Sequence, residues 1–304
     1  MSQKQRRTVP PEAIELYNQF IHGEISRRDF ISGANKLAVA GLTAGAIVTA
    51  LMPDYAAAQV VSRNDERIRA SYITIPSPQG NGAVKGYFVR PFSADSRSET
   101  PVKLPGIIVV HENRGLNPHT EDVARRLALA NFNVFAPDVL TSVGGYPGDD
   151  YQGGQLFSKI DNGKKFEDIV ASALWLKGRP DSSGKIGATG FCYGGGVANQ
   201  LAVRLGTDLS AAVPFYGAAP EAADVARIKA AILVQHGELD TRLVQAWPAY
   251  EKALKAANVV HKGNIFKGAV HGFFNDATPE RYNEAAAAEA WSSMVNWFNT
   301  YLRT

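Results

Sequence analysis

Gly190-Phe191-Cys192-Tyr193-Gly194-Gly195-Gly196 follows the β-prone run Lys185 to Thr189 and leads into a stretch with helical spacing, Gly195 to Leu205. A nucleophilic side chain with glycine two residues before it and two after, set between a strand and a helix, is the pattern of a nucleophile elbow. The chain turns so sharply there that the central residue takes strained backbone angles, and the glycines leave room for the turn. Cys192 then stands at the carboxyl edge of a sheet and at the amino end of a helix. The helix dipole favours the thiolate, which is the reactive form of cysteine.

Outward from the elbow, strand and helix patterns alternate. Strand runs are Gly106–Val110, Phe132–Pro137, Ala211–Phe215, Ala231–Gln235 and the short Asn264–Phe266. Helical spacing covers Thr120–Ala130, Phe166–Leu176, Ala246–Ala257 and the closing Glu284–Leu302. Short apolar strands separated by helices imply a mostly parallel sheet covered by helices on both faces, the α/β class. Ala70–Ile75 and Ala83–Val89, with Pro76, Pro78 and Gly80 to Gly82 between them, predict an N-terminal β-hairpin. Ser93 to Thr100 reads as a polar loop, and the Gly-rich Thr141 to Lys165 as a long loop of the kind that often carries function.

An elbow also sets an order for its helpers: an acid, then a histidine, both downstream. Asp240 lies in the acidic loop after the strand Ala231–Gln235, with Glu238 as its competitor, and His271 lies after the last short strand. An oxyanion hole needs two backbone N–H groups. Tyr193, next to the nucleophile, supplies one, and Asn113, in the string His111-Glu112-Asn113-Arg114-Gly115 after the first core strand, is the candidate for the other.

Over roughly residues 65 to 302 these strings resemble the dienelactone hydrolase (carboxymethylenebutenolidase) family of the α/β-hydrolase superfamily. The resemblance implies a Cys192–His271–Asp240 triad that opens a small-molecule lactone or ester through an acyl-thioester, with no cofactor. It also implies that Glu112 takes the thiol proton when substrate arrives. Family members that grip a substrate carboxylate carry an arginine four residues after the histidine, where this chain has Asn275, and another in the loop that here runs from Tyr151 to Phe157 without an arginine. Arg114 and Arg242 are candidates to supply that charge. Two other readings stand beside this one: a general carboxylesterase on neutral esters, and a binding or redox-sensing protein on the same fold whose cysteine reacts once.

Composition agrees with a globular enzyme: 304 residues, 45% hydrophobic, 20% charged, net charge +3. No basic stripe invites nucleic acid. A single cysteine cannot form an intrachain disulfide, and with six scattered histidines no Cys/His metal cluster is expected. His111 and His236 read as structural, and His22, His119 and His261 as surface residues.

Residues 1–58 differ in character from residues 59–304, the hydrolase domain. Ser26-Arg27-Arg28-Asp29-Phe30-Ile31 is a twin-arginine pattern, a weakly apolar run from Leu37 to Met52 follows, and Ala56-Ala57-Ala58 offers a cleavage site. This order describes a Tat-like export signal, with the Tat machinery as partner and the periplasm as destination; a cytoplasmic protein is the alternative. The apolar run is too short for a stable membrane span. The competing structural reading is an amphipathic helix whose apolar face carries Ile14, Leu16, Tyr17, Phe20 and Ile21.

Overall fold

A computed structural model describes residues 8–38, 42–92 and 102–303. The polar loop expected at 93–100 lies outside the described residues, as does part of the apolar run after Leu37. Eight strands form one sheet: β1 (Ile68–Ser77), β2 (Gly82–Pro91), β3 (Leu104–Val110), β4 (Asn133–Asp138), β5 (Ser182–Phe191), β6 (Ala211–Phe215), β7 (Ala231–Gly237) and β8 (His261–Phe266). Their order across the sheet is β1-β2-β4-β3-β5-β6-β7-β8. The expected hairpin is present: β1 and β2 pair antiparallel from Ile68 opposite Pro91 to Ser77 opposite Gly82, and β2 joins β4 antiparallel. All other pairings are parallel. The carboxyl ends of β3, β5, β7 and β8 therefore share one edge, which is where loops from different strands can meet.

Both faces are covered, which explains why the central strands are apolar without alternation. Ile107 and Val109 face a core that includes α4 (Pro118–Leu129) and α9 (Glu284–Leu302). Ile108 and Val110 face α6 (Asn162–Lys177), α7 (Tyr193–Leu205) and α8 (Thr241–Ala256). The segment read as a long loop contains a helix of its own, α5 (Asp150–Phe157). Asp149 caps it by accepting from the Gln152 backbone N–H, a start signal that the surrounding glycines obscure.

The first residues fold as three helices, α1 (Pro11–His22), α2 (Arg27–Leu37) and α3 (Ala44–Leu51). Ala13, Ile14, Tyr17 and Ile21 recur at helical spacing on α1, and with Phe30, Ala34, Ile47 and Leu51 they bury against one another and against Val270 of the hydrolase domain. The amphipathic-helix reading of this stretch thus describes its structure. Gly23 takes a left-handed φ of 78° and ends α1, with the Glu24 N–H donating to the Gln19 carbonyl. Three residues on, Ser26 and Asp29 form a reciprocal cap that starts α2. No helix among the described residues is long and apolar enough to cross a membrane.

Candidate active site

Cys192 sits in the turn between β5 and α7 with φ 54° and ψ −110°, outside the favoured regions for an L-residue. The Cys192 N–H donates to the Phe215 carbonyl on β6 and its carbonyl accepts from Gly196, so neighbouring elements hold the strain in place. A Cβ on Gly194 would lie 2.2 Å from the Val110 carbonyl oxygen, and one on Gly190 would lie 2.4 Å from the Gly194 carbonyl oxygen. Only glycine fits at either flank, for the steric reason expected from the sequence.

The structure brings His271 and Asp240 together. His271 Nδ1 lies 2.5 Å from Asp240 Oδ2, with both side chains buried. Nδ1–H donates to the carboxylate, which leaves Nε2 directed away from Asp240. Glu238, the competing acid, instead accepts from the Gly268 backbone N–H at 2.8 Å. Burial disfavours the Asp240 charge, but the hydrogen bond from His271 outweighs it and lowers the carboxyl below its usual range.

The side of Cys192 facing the N-terminal helices holds a residue that the sequence reading left on the surface. His22, the last residue of α1, brings Nε2 to 3.5 Å from Cys192 Sγ and 3.3 Å from His271 Nε2. The two imidazoles stack edge to face, with centroids 4.7 Å apart. The donor atoms of His22, Cys192 and His271 all lie within 4.8 Å of one another. This corrects the expectation that a lone cysteine and scattered histidines bring no Cys/His cluster together. The set of one sulfur and two ring nitrogens has the chemistry of a zinc-type donor set. A second correction concerns His119, which is buried, not superficial: it pairs with Asp276 at 3.0 Å and packs against Phe191 and Phe274.

These neighbours set the protonation of the pair. Burial pushes the Cys192 thiol up, but the charge of His271 and hydrogen bonds from His22 and His271 outweigh it, and the thiol falls from its ordinary 9.0 to about 6. Burial pushes His271 down, but the Cys192 thiolate and the Asp240 hydrogen bond outweigh it and bring it from 6.5 to about 10. The arrangement favours a thiolate–imidazolium pair at neutral pH.

The remaining candidates divide. A cavity of about 480 Å³ is lined by Cys192, His22, Asn113, Tyr193, Tyr216 and Arg242, among others. Arg242 thus lines the same cavity as Cys192. Arg114 is not among the residues lining that cavity; its Nη2 donates to the Ile21 carbonyl of α1 at 3.1 Å, and Asn113 Nδ2 donates to the same oxygen at 2.7 Å. Glu112 is buried and makes no hydrogen bond to Cys192 among the described residues; its charge acts on Arg281, Tyr216 and Tyr17. Asn275, where family members can carry an arginine, is buried and accepts from the Ala277 backbone N–H at 3.1 Å. His111 is structural as expected: Nδ1–H donates to the Glu112 carbonyl, and Nε2 accepts from the Val139 N–H at 3.3 Å. Arg281 was not anticipated. It is buried over the Tyr17 ring, and its Nε and Nη1 have no hydrogen-bond partner among the described residues. Nothing in its local sequence, a surface-like Pro-Glu-Arg-Tyr, signals that position.

The model of the dienelactone hydrolase family matches residues 92–302. This chain belongs to that family. It is therefore an α/β-hydrolase that acts as a carboxylic ester hydrolase. Residues 1–40 separately match a family described as YqhI-like. A candidate carboxymethylenebutenolidase of Escherichia coli K12 is 30% identical over 260 residues, covering 81% of this chain and 92% of that protein. A candidate hydrolase fragment of the same organism is 50% identical over 120 residues, 40% of this chain and 97% of the fragment. Among solved structures, a candidate dienelactone hydrolase from Klebsiella pneumoniae is similar with a TM-score of 0.66 and 27% identity, over 77% of this chain and 99% of that one. The dienelactone hydrolase-like promiscuous phosphotriesterase P91, from metagenomic libraries, is similar with a TM-score of 0.64 and 26% identity, over the same shares.

Proposed function

We propose that this dienelactone hydrolase-family chain opens a lactone or carboxylic ester through Cys192, His271 and Asp240, by way of an acyl-thioester. The observation that carries the reading is the strained elbow that sets Cys192 beside an imidazole tied to a buried carboxylate. The thiolate attacks the carbonyl carbon, and the developing oxyanion is met by the backbone N–H groups of Tyr193 and Asn113. The His271 imidazolium gives its Nε2 proton to the leaving oxygen. It then takes a proton from the water that attacks the thioester, and the thiolate leaves. Asp240 keeps the imidazole in the productive tautomer throughout. Glu112, the proton acceptor implied by family resemblance, has its charge set toward Arg281 and Tyr216 here, so we assign proton transfer to His271.

Substrate choice follows from the lining. Arg114 is engaged with α1, Asn275 is engaged with backbone, and aromatic Phe157, Phe166 and Tyr216 line the cavity with Arg242 as its guanidinium. Arg242 is thus the group that would meet a substrate carboxylate, and the aromatic rings would hold the uncharged part of an ester or lactone. Export by the Tat route is a separate proposal, supported by the exposed Arg27 and Arg28 at the start of α2.

A panel of p-nitrophenyl esters and lactones tests the reaction. Cys192→Ala is expected to abolish turnover, and Cys192→Ser to leave a small residue. Undiminished hydrolysis by the alanine variant would remove the basis of the proposal. A single burst without steady turnover in the wild type would favour the one-time reaction of a sensor.

A further inference from the structure

Helix α1 is fastened to the rim of the site from three sides. Its last turn is held through the Ile21 carbonyl by Asn113 and Arg114. Ahead of it, the backbone N–H of Thr8 donates to the Glu280 carboxylate at 3.0 Å. Beyond α3, the Asp54 N–H donates to the Ala277 carbonyl at 2.6 Å, and the Tyr55 hydroxyl donates to Asp150 at 2.8 Å while accepting from Asn117. Gly23 stops α1 immediately after His22, so the imidazole is presented at the end of the helix, facing the site. A solvated surface histidine needs none of this apparatus.

We propose that His22, delivered by the N-terminal helices, is a fourth catalytic residue that holds the Cys192 sulfur when it carries negative charge. This rests on the reading of Cys192 as nucleophile. His22 Nε2 lies 3.5 Å from the sulfur and 3.3 Å from His271 Nε2, so with its hydrogen on Nε2 it gives the thiolate a donor of its own beside the His271 imidazolium. In acylation the sulfur lone pair forms the S–C bond, the C–O bond to the leaving group breaks, and His271 protonates the departing oxygen. His22 transfers nothing. In the second half, a water oxygen bonds to the acyl carbon, His271 takes the water proton, the S–C bond breaks and its electron pair returns to sulfur. His22 stabilises that leaving thiolate by hydrogen bond, so its effect falls on the resting enzyme and on deacylation.

The groups that face the sulfur or act on it are few. His22 comes from α1 and His271, backed by Asp240, from the loop after β8. Arg281 and Tyr216 act through charge, and Glu112 sets the field at those two. Arg242 lines the same cavity from the start of α8.

The test compares full-length wild type, His22→Ala and His22→Gln, with EDTA present so that no chance metal occupies the three donors. Thiolate formation is read by absorbance near 240 nm and by iodoacetamide alkylation against pH. Hydrolysis of p-nitrophenyl acetate is read as burst and steady phases. The alanine variant is expected to shift the thiol titration upward by about one unit, a tenfold loss of thiolate at low pH, and to slow the steady phase more than the burst. Glutamine, which keeps an N–H donor, is expected to recover most of both. A folded alanine variant with the wild-type titration and unchanged steady rate overturns the proposal, as does wild-type activity that EDTA removes and zinc restores. The alkylation arm reads the His22 contact even if no ester is turned over, so failure here and failure of the hydrolytic reading are separable.

Discussion

At Cys192 the decisive quantity is the charge it carries at neutral pH, and that charge is set by two imidazoles. The thiol is lowered to about 6 and His271 is raised to about 10, each chiefly because the other's charge outweighs the penalty of burial. The sign follows directly. In the proposed reaction, below the lower value the sulfur is protonated and unreactive, and above the higher value His271 has no proton for the leaving oxygen. With an uncharged ester, kcat/KM is expected to rise through about pH 6, stay level, and fall through about pH 10. A profile that rises only near the ordinary thiol value would mean that the pair is not formed. Cys192, Asp240 and His271 were legible because the elbow spacing and chain order restrict where such residues can sit. His22 was not: it lies 170 residues from the cysteine it touches, and no periodicity links them. Arg281 was hidden for the same reason, since the ring it lies over, Tyr17, comes from the distant α1.

Among the elements, the strands and the helices that cover them were readable because each buries a repeating apolar pattern. The N-terminal stretch carried two meanings at once. Ser26-Arg27-Arg28-Asp29 is both a twin-arginine string and a helix-capping string, and Ala44 to Leu51 has the composition of a signal's apolar region and of a short buried helix. Composition alone cannot separate these, because the difference is whether a surface exists to receive the apolar face. Here it does: Ile47 and Leu51 are buried against α1 and α2. Phe30 is at the centre of that cluster, stacked on Phe20 at 4.9 Å and edge-on to Tyr17. Phe30→Ala is expected to cost about 3–5 kcal/mol within these helices, a large share of what so small a cluster supplies. The helices should unseat while the sheet stays folded. Limited proteolysis should then cut within residues 8–58 and leave a stable core, with thermal unfolding of that core little changed. Resistance equal to the wild type would show that the helices are held by their polar straps alone.

For the molecule as a whole, the proposed export and the proposed role of His22 make opposing demands on one segment. A cleaved signal leaves the enzyme without its first 58 residues, whereas the seat of His22 requires them. The Tat route carries folded proteins, so the two demands are reconciled if the segment travels folded and stays attached: Arg27 and Arg28 are exposed at the start of α2 even with Phe30 buried beneath them. Removal would also uncover Val270, which is buried in the cluster that these helices form, leaving apolar surface in water. N-terminal sequencing of active protein from periplasmic and cytosolic fractions is therefore expected to find the segment retained in both. A shortened form beginning after Ala58 should be less stable and should titrate its thiol higher than the intact chain. Undiminished turnover by that shortened form would show that the helices serve transport only, and that Cys192 and His271 suffice without them.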